Sequence, residues 1–221
     1  MISEKGLCKI LKSAYKNGGY SVIQVRRKVE STTQTWQRNE IILNGATWAV
    51  RCVTEDLPKA AAVQIVEDAG YLPVEAMTIC KGEPNQMVME NVAAGRHGIL
   101  SRQAEGSVAM EKIPVIYKER WQLYQTAEGE IAAFDTALLE LIDPKCTFLF
   151  ARLSASGGLG IFTWDDCSAW IAPGRFSSAD EERLRFLAGL DWAGQMEDED
   201  ATVNMSLFDP DRDVLPVSRE G

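Results

Sequence analysis

Histidine is almost missing from this 221-residue chain; His97 is the only one. A zinc site built on two or three histidines of one chain is excluded, as is a Cys2His2 finger, so any metal chemistry would rest on carboxylates. Cysteine is sparse: Cys8, Cys52, Cys80, Cys146 and Cys167 are odd in number, scattered, and form no Cys-x-x-Cys pair. Most lie in apolar stretches, where a thiol behaves as a small hydrophobe, so reduced cysteines are expected. No run approaches the roughly 18 apolar residues of a membrane span. Residues 1–19 are amphipathic and dotted with lysines rather than carrying the apolar block of a secretion signal. A cytoplasmic protein that avoids the membrane is the expectation.

Charge is present but unevenly placed. The chain carries a net −9. Residues 195–221 hold eight acidic and two basic side chains, a net −6, which leaves only −3 for everything before them. Residues 1–30 run the other way, with seven basic and two acidic side chains. With 46% hydrophobic residues the chain can bury a proper core, in one domain or two small ones.

The hydrophobic periods predict an α+β fold of mostly antiparallel sheet built from hairpins, with N-terminal, central and C-terminal helices. Leu7, Ile10, Leu11, Ala14 and Tyr15 make one helical stripe, with Ser3 as its cap and Gly18-Gly19 as its stop. Tyr20 to Val29 alternates as a strand does. Asn44-Gly45, between two apolar runs, predicts a hairpin turn that uses positive φ. Asp56 is the expected cap of a helix over 60–69 that Gly70 closes. Strands are expected at 72–79 and 87–91, then at 113–117, 121–125, 130–134, 146–153, 159–164 and 170–172, with a short helix over 136–142. Residues 92–111 read as a connection between an N-terminal part, 1–91, and a C-terminal part, 112–194, ahead of a flexible acidic tail at 195–221. A last helix is expected over 179–192, with Ser178 and Glu181 at capping-box spacing.

Within the acidic tail sits an apolar island, Asn204-Met205-Ser206-Leu207-Phe208. An apolar cluster in a segment too charged to fold alone is suited to being bound by another molecule. The five residues resemble the peptide by which polymerases and repair proteins dock on the bacterial sliding clamp, whose consensus runs Gln, Leu, Ser or Asp, Leu, Phe. Ser206, Leu207 and Phe208 match it, Met205 is an apolar stand-in, and Asn204 is one methylene shorter than the glutamine. The resemblance covers five residues and implies a protein partner, with the bacterial sliding clamp as the candidate. It also implies a role in DNA metabolism, as an accessory or inhibitor, that would suit a mobile-element protein.

Other chemistries are weaker. Lys5, Lys9, Lys12, Lys16, Arg26, Arg27 and Lys28 form an N-terminal basic set that could meet the phosphates of a nucleic acid, although a solvated helix face is the more common explanation. Asp165-Asp166-Cys167 could seat a carboxylate-based site; a turn with capping acids is the plain alternative. Gly157-Gly158-Leu159-Gly160 lacks the helix that a phosphate loop feeds and reads as a hairpin turn. Asp209 to Glu220 has the acid spacing of a calcium loop but places Val214 where glycine is needed. Arg96-His97-Gly98 resembles the histidine phosphatase signature, yet the second histidine of that family has no counterpart. The expectation is a non-enzymatic binding protein without metal or cofactor; the alternatives are a metal-dependent enzyme using carboxylates near Asp165 and Asp166, or a structural domain with no activity of its own.

Overall fold

A computed structural model describes residues 1–30, 35–74, 76–82, 86–87, 106–155, 158–190 and 203–204. The described chain is α+β and mostly antiparallel, as its hairpin signals predict. Helix α1 (Glu4–Lys16) starts where the Ser3 hydroxyl accepts from the Gly6 N–H; it is C-capped by Asn17, and Gly18 and Gly19 follow at positive φ. Strands β1 (Tyr20–Glu30), β2 (Thr35–Asn44) and β3 (Trp48–Val53) form a meander. Helix α2 (Lys59–Ala69) follows and is closed by Gly70 at φ +86°. Strands β4 (Met77–Ile79) and β5 (Gln86–Met87) extend the sheet beyond β1.

The second half begins with β6 (Ser107–Tyr117), β7 (Trp121–Thr126) and β8 (Ile131–Asp135), then the single-turn α3 (Thr136–Leu139). Strands β9 (Phe150–Ser154), β10 (Gly160–Trp164) and β11 (Cys167–Ile171) come next, then α4 (Ser178–Ala188) and the two-residue β12 (Val203–Asn204). Among the described residues the strands run β5-β4-β1-β2-β3-β11-β10-β9-β6-β7-β8, with β12 added to β6. The two halves meet where β3 pairs antiparallel with β11, so strand pairing continues without a break from one half to the other.

Strand alternation sorts the core. Val22, Ile41, Leu43, Val50, Ala169, Ile171, Phe162 and Trp164 turn to the side covered by Leu7 and Leu11 of α1 and Ala61 and Ile65 of α2. In β8, Ala132 and Phe134 join that core, while Ala133 between them faces Leu184 and Leu187 of α4. Helix α4 therefore packs on the opposite face of the β6-β7-β8 end. Two buried polar side chains meet at Asp68 of α2, which accepts from the Tyr20 hydroxyl at 2.9 Å and from the Gln64 amide at 2.8 Å.

Pro114 interrupts the β6-β7 ladder, because proline has no N–H to give. The register slips between Lys112 and Ile116. The buried Gln122 amide repairs the gap, donating to the carbonyls of Ile113 at 2.7 Å and Val115 at 3.2 Å.

Several expectations need correction. Gly45 is not at positive φ; it is required because an added Cβ would lie 2.4 Å from the Trp48 indole nitrogen. Asp56 ends a short 3-10 turn and does not cap α2, whose N-cap Pro58 offers no side-chain acceptor. The connection ends earlier than predicted, since β6 already starts at Ser107 and pairs with β9. Residues 146–149 precede β9 rather than belonging to it. Helix α3 ends at Leu139, and α4 is capped by Ser177, one residue before the predicted cap, and stops at Ala188. The predicted strand at 87–91 and most of the 92–111 connection fall outside the described residues, as does His97.

Asp180 locks α4 to the sheet. It accepts hydrogen bonds from Lys118, Tyr117 and Ser177, and these hold its carboxyl at about 2, below the ordinary aspartate range. An unfolded aspartate titrates near ~3.9, so this contribution is complete above about pH 4 and fades as pH falls toward ~2. Urea midpoints at about pH 5, 3.5 and 2.5 should fall less steeply in Asp180→Asn than in the parent chain. Parallel pH slopes for the two proteins would contradict this role.

Candidate functional site

The tail peptide is reached first through β6. Ile116 pairs with Gln122 of β7 on one edge and with Asn204 of β12 on the other, in parallel register with Val203 opposite Val115. Asn204, the first residue of the predicted peptide, thus has its backbone beside the β6 edge. Met205, Ser206, Leu207 and Phe208 lie outside the described residues.

The N-terminal basic set divides between two elements. Lys5, Lys9, Lys12 and Lys16 are exposed on α1. Lys9 is bound to both carboxylate oxygens of Glu140, at 2.8 and 3.0 Å. Arg26 is exposed on β1, and Arg27 and Lys28 occupy the next two positions of that strand, opposite Arg38 and Gln37 of β2.

Asp165 and Asp166 form the two-residue turn between β10 and β11, with Asp165 at φ +46°. Asp165 accepts from the Met1 ammonium at 3.1 Å, and Asp166 from Arg38 at the same distance. Each carboxylate thus has its own cation, which is the turn-and-tether arrangement rather than a shared acid–base pair. Cys167 beside them is buried, and burial raises its thiol pKa. Cys52 is pushed up to about 12 by the same cause, so neither thiol is a ready nucleophile near neutral pH.

Two adjoining depressions share a wall. One, of about 660 Å³, runs from Asn17-Gly18-Gly19 at the end of α1 to the Gly45-Ala46-Thr47 turn. The other, of about 500 Å³, continues to Pro173-Gly174-Arg175. Both include Arg120 and Asp135 in their walls. Arg120 donates through Nε and Nη2 to one oxygen of Asp135, at 2.9 and 2.6 Å, and its guanidinium lies 5.0 Å from the Trp121 ring centre. Asp135 also caps α3 by accepting from Ala137 N–H. The charged pair in this groove is therefore engaged in holding β7, β8 and α3 together. A third depression of about 630 Å³ lies between β8 and α4, near Gly174, Leu184 and Arg185.

Among the described residues, no group of three or more His, Cys, Asp or Glu side chains is placed to hold a metal ion, and no helix is long and apolar enough to cross a membrane. Sequence reasoning missed an exposed apolar run: Phe148 and Phe150 are 69% and 67% exposed, with Leu149 between them. Its signal was there, since consecutive apolar residues do not alternate as a half-buried strand requires. No protein-family model, curated protein or solved structure matches the chain.

Proposed function

We propose that the chain is a non-enzymatic binding protein, an accessory or inhibitor in DNA metabolism, that offers Asn204–Phe208 to a partner of the sliding-clamp type. The carrying observation is the tail itself: a Leu-Phe pair with polar flanks inside a segment of net −6. Such a segment gains little by collapsing on itself, and a Leu-Phe pair among polar and acidic neighbours suits a groove on another protein. The alternative enzyme reading loses support from Asp165 and Asp166, each of which is tethered to a separate cation.

A synthetic peptide of residues 200–212 tests this reading. It is expected to bind a bacterial sliding clamp at about micromolar strength, near −8 kcal/mol. Leu207→Ala with Phe208→Ala removes two apolar anchors, at ~1.5–3 kcal/mol each, and should weaken binding by at least ~100-fold in a calorimetric titration. A parent peptide that stays unbound at high micromolar concentration removes the clamp as partner.

A further inference from the structure

Two of the five cysteines meet across the seam between the halves of the sheet. Strand β3 pairs antiparallel with β11, in a register that runs from Trp48 with Ile171 to Val50 with Ala169 and Arg51 with Ser168. One step further along the same register Cys52 falls opposite Cys167, and both residues still belong to their strands. Strand alternation then gives the two thiols one face. Val50 and Ala169 turn into the core under α1 and α2, and so do Cys52 and Cys167, each two positions away. Each cysteine is only 1% exposed. After burial itself, the neighbouring Cys167 thiol is the largest influence raising the Cys52 pKa, as two sulfurs close together require.

Residues directly opposite in an antiparallel pair have Cα atoms ~4.5–5.5 Å apart. A disulfide spans Cα separations of ~4.4–6.8 Å, so the strands need no rearrangement to be joined at this position. Both cysteines are free thiols. The other three have no such counterpart: Cys8 lies on α1, Cys80 follows β4, and Cys146 precedes β9. Packing alone would be served by two small apolar residues. Two thiols at one register position add the capacity to close a covalent bond.

We propose that Cys52 and Cys167 are a two-electron oxidation site, closed by hydrogen peroxide into a disulfide that fastens β3 to β11. Cys167 attacks one peroxide oxygen as its thiolate; the O–O bond breaks, and the departing hydroxide takes up the thiol proton as water. The sulfur is left as a sulfenic acid. Cys52, as its thiolate, attacks that sulfur; the S–O bond breaks, and this hydroxide takes the Cys52 proton. Two thiols and one peroxide thus give one disulfide and two waters. Cys167 reacts first because it adjoins the turn at Asp165 and Asp166, whose side chains are 51% and 68% exposed. The reaction is slow, since both thiols are held mostly protonated by burial. The bond closes a loop of about 115 residues, and a longer loop loses more freedom in the unfolded chain. This site is independent of the tail peptide, so loss of clamp binding and loss of the crosslink are separable results.

The test exposes the folded full chain to millimolar hydrogen peroxide and follows every cysteine by peptide mass mapping. Cys8, Cys80 and Cys146 are partly exposed, so their oxidation shows that the dose was sufficient. The expected product is a linked pair of peptides carrying Cys52 and Cys167, lighter by two hydrogens and separated again by dithiothreitol. The oxidised chain should melt ~5–15 °C above the same sample after dithiothreitol. Comparing those two samples cancels methionine oxidation, which dithiothreitol does not reverse. Cys167→Ala should lose both the linked peptides and the rise in melting temperature, and Cys146→Ala should keep both. The proposal is overturned if Cys52 and Cys167 stay free after the three exposed thiols are consumed. Linkage of either to another cysteine overturns it too, as does a linked chain that melts no higher than its reduced form.

Discussion

Phe134→Ala is expected to lower the unfolding free energy by about 3–5 kcal/mol, a large share of the ~5–15 kcal/mol that holds a typical domain together. Phe134 is fully buried. Its ring meets Tyr124 and Phe162 edge-to-face, with centroids 5.6 and 5.2 Å away, and those two rings also meet each other at 5.4 Å. The close approach is made by Gly160 of β10, where an added Cβ would lie 2.3 Å from the Phe134 ring. The ring thus joins β8 to β10, which are not neighbours in the sheet order. Truncation removes the transfer free energy of the side chain and leaves a cavity that a closed aromatic cluster refills poorly. Phe150→Ala is the control. That ring is 67% exposed, and its loss should change stability by no more than ~0.5 kcal/mol. Urea titration would show the effect as a fall in midpoint at constant slope. Equal midpoints for the two variants would contradict the assigned core.

Gly6→Ala separates two opposing terms by sign. Gly6 sits in the first turns of α1, and replacing a helical glycine with alanine ordinarily stabilises by up to ~1 kcal/mol. Here the added Cβ would lie 1.9 Å from the backbone carbonyl oxygen of Glu140. That oxygen belongs to the main chain just after α3, so it cannot swing aside as a side chain would. Overpacking against fixed atoms costs ~1–3 kcal/mol or more, and α1 must shift to relieve it. The Ser3–Leu141 hydrogen bond and the Lys9–Glu140 pair lie on the same contact and would shift with it. The net expectation is a loss of about 2 kcal/mol and a lower melting temperature. A higher melting temperature would show that α1 does not approach α3 so closely.

Local signals made much of this architecture legible. Ser3 and the paired glycines bracket α1, and Gly70 ends α2, because caps act within a few residues. The β2-β3 hairpin was readable from Asn44-Gly45, although the reason for Gly45 was the Trp48 ring, which only the fold brings over it. The pairing of β3 with β11 joins Arg51 to Ser168, a separation over which no local pattern speaks. The start of β6 was hidden because residues 107–112 show no clear period, and the β9 strand they pair with lies far along the chain. The basic residues Arg26, Arg27 and Lys28 were visible, but not the β1-β2 pair that carries them. Among the described residues β3 and β4 extend alongside only part of it, which is a property of the assembled sheet. The tail peptide was legible as composition alone, and only its first residue, Asn204, falls within the described chain.

The most direct measurement compares the full chain with its Leu207→Ala/Phe208→Ala variant on an immobilised bacterial sliding clamp, with melting curves of both recorded alongside. If the pair belongs to a partner, the parent binds at about micromolar strength, the variant loses at least ~100-fold, and the two melt within ~1 °C of each other. A variant that binds as the parent does, or one that melts ~4–8 °C lower because the two side chains are part of its own core, would contradict the account.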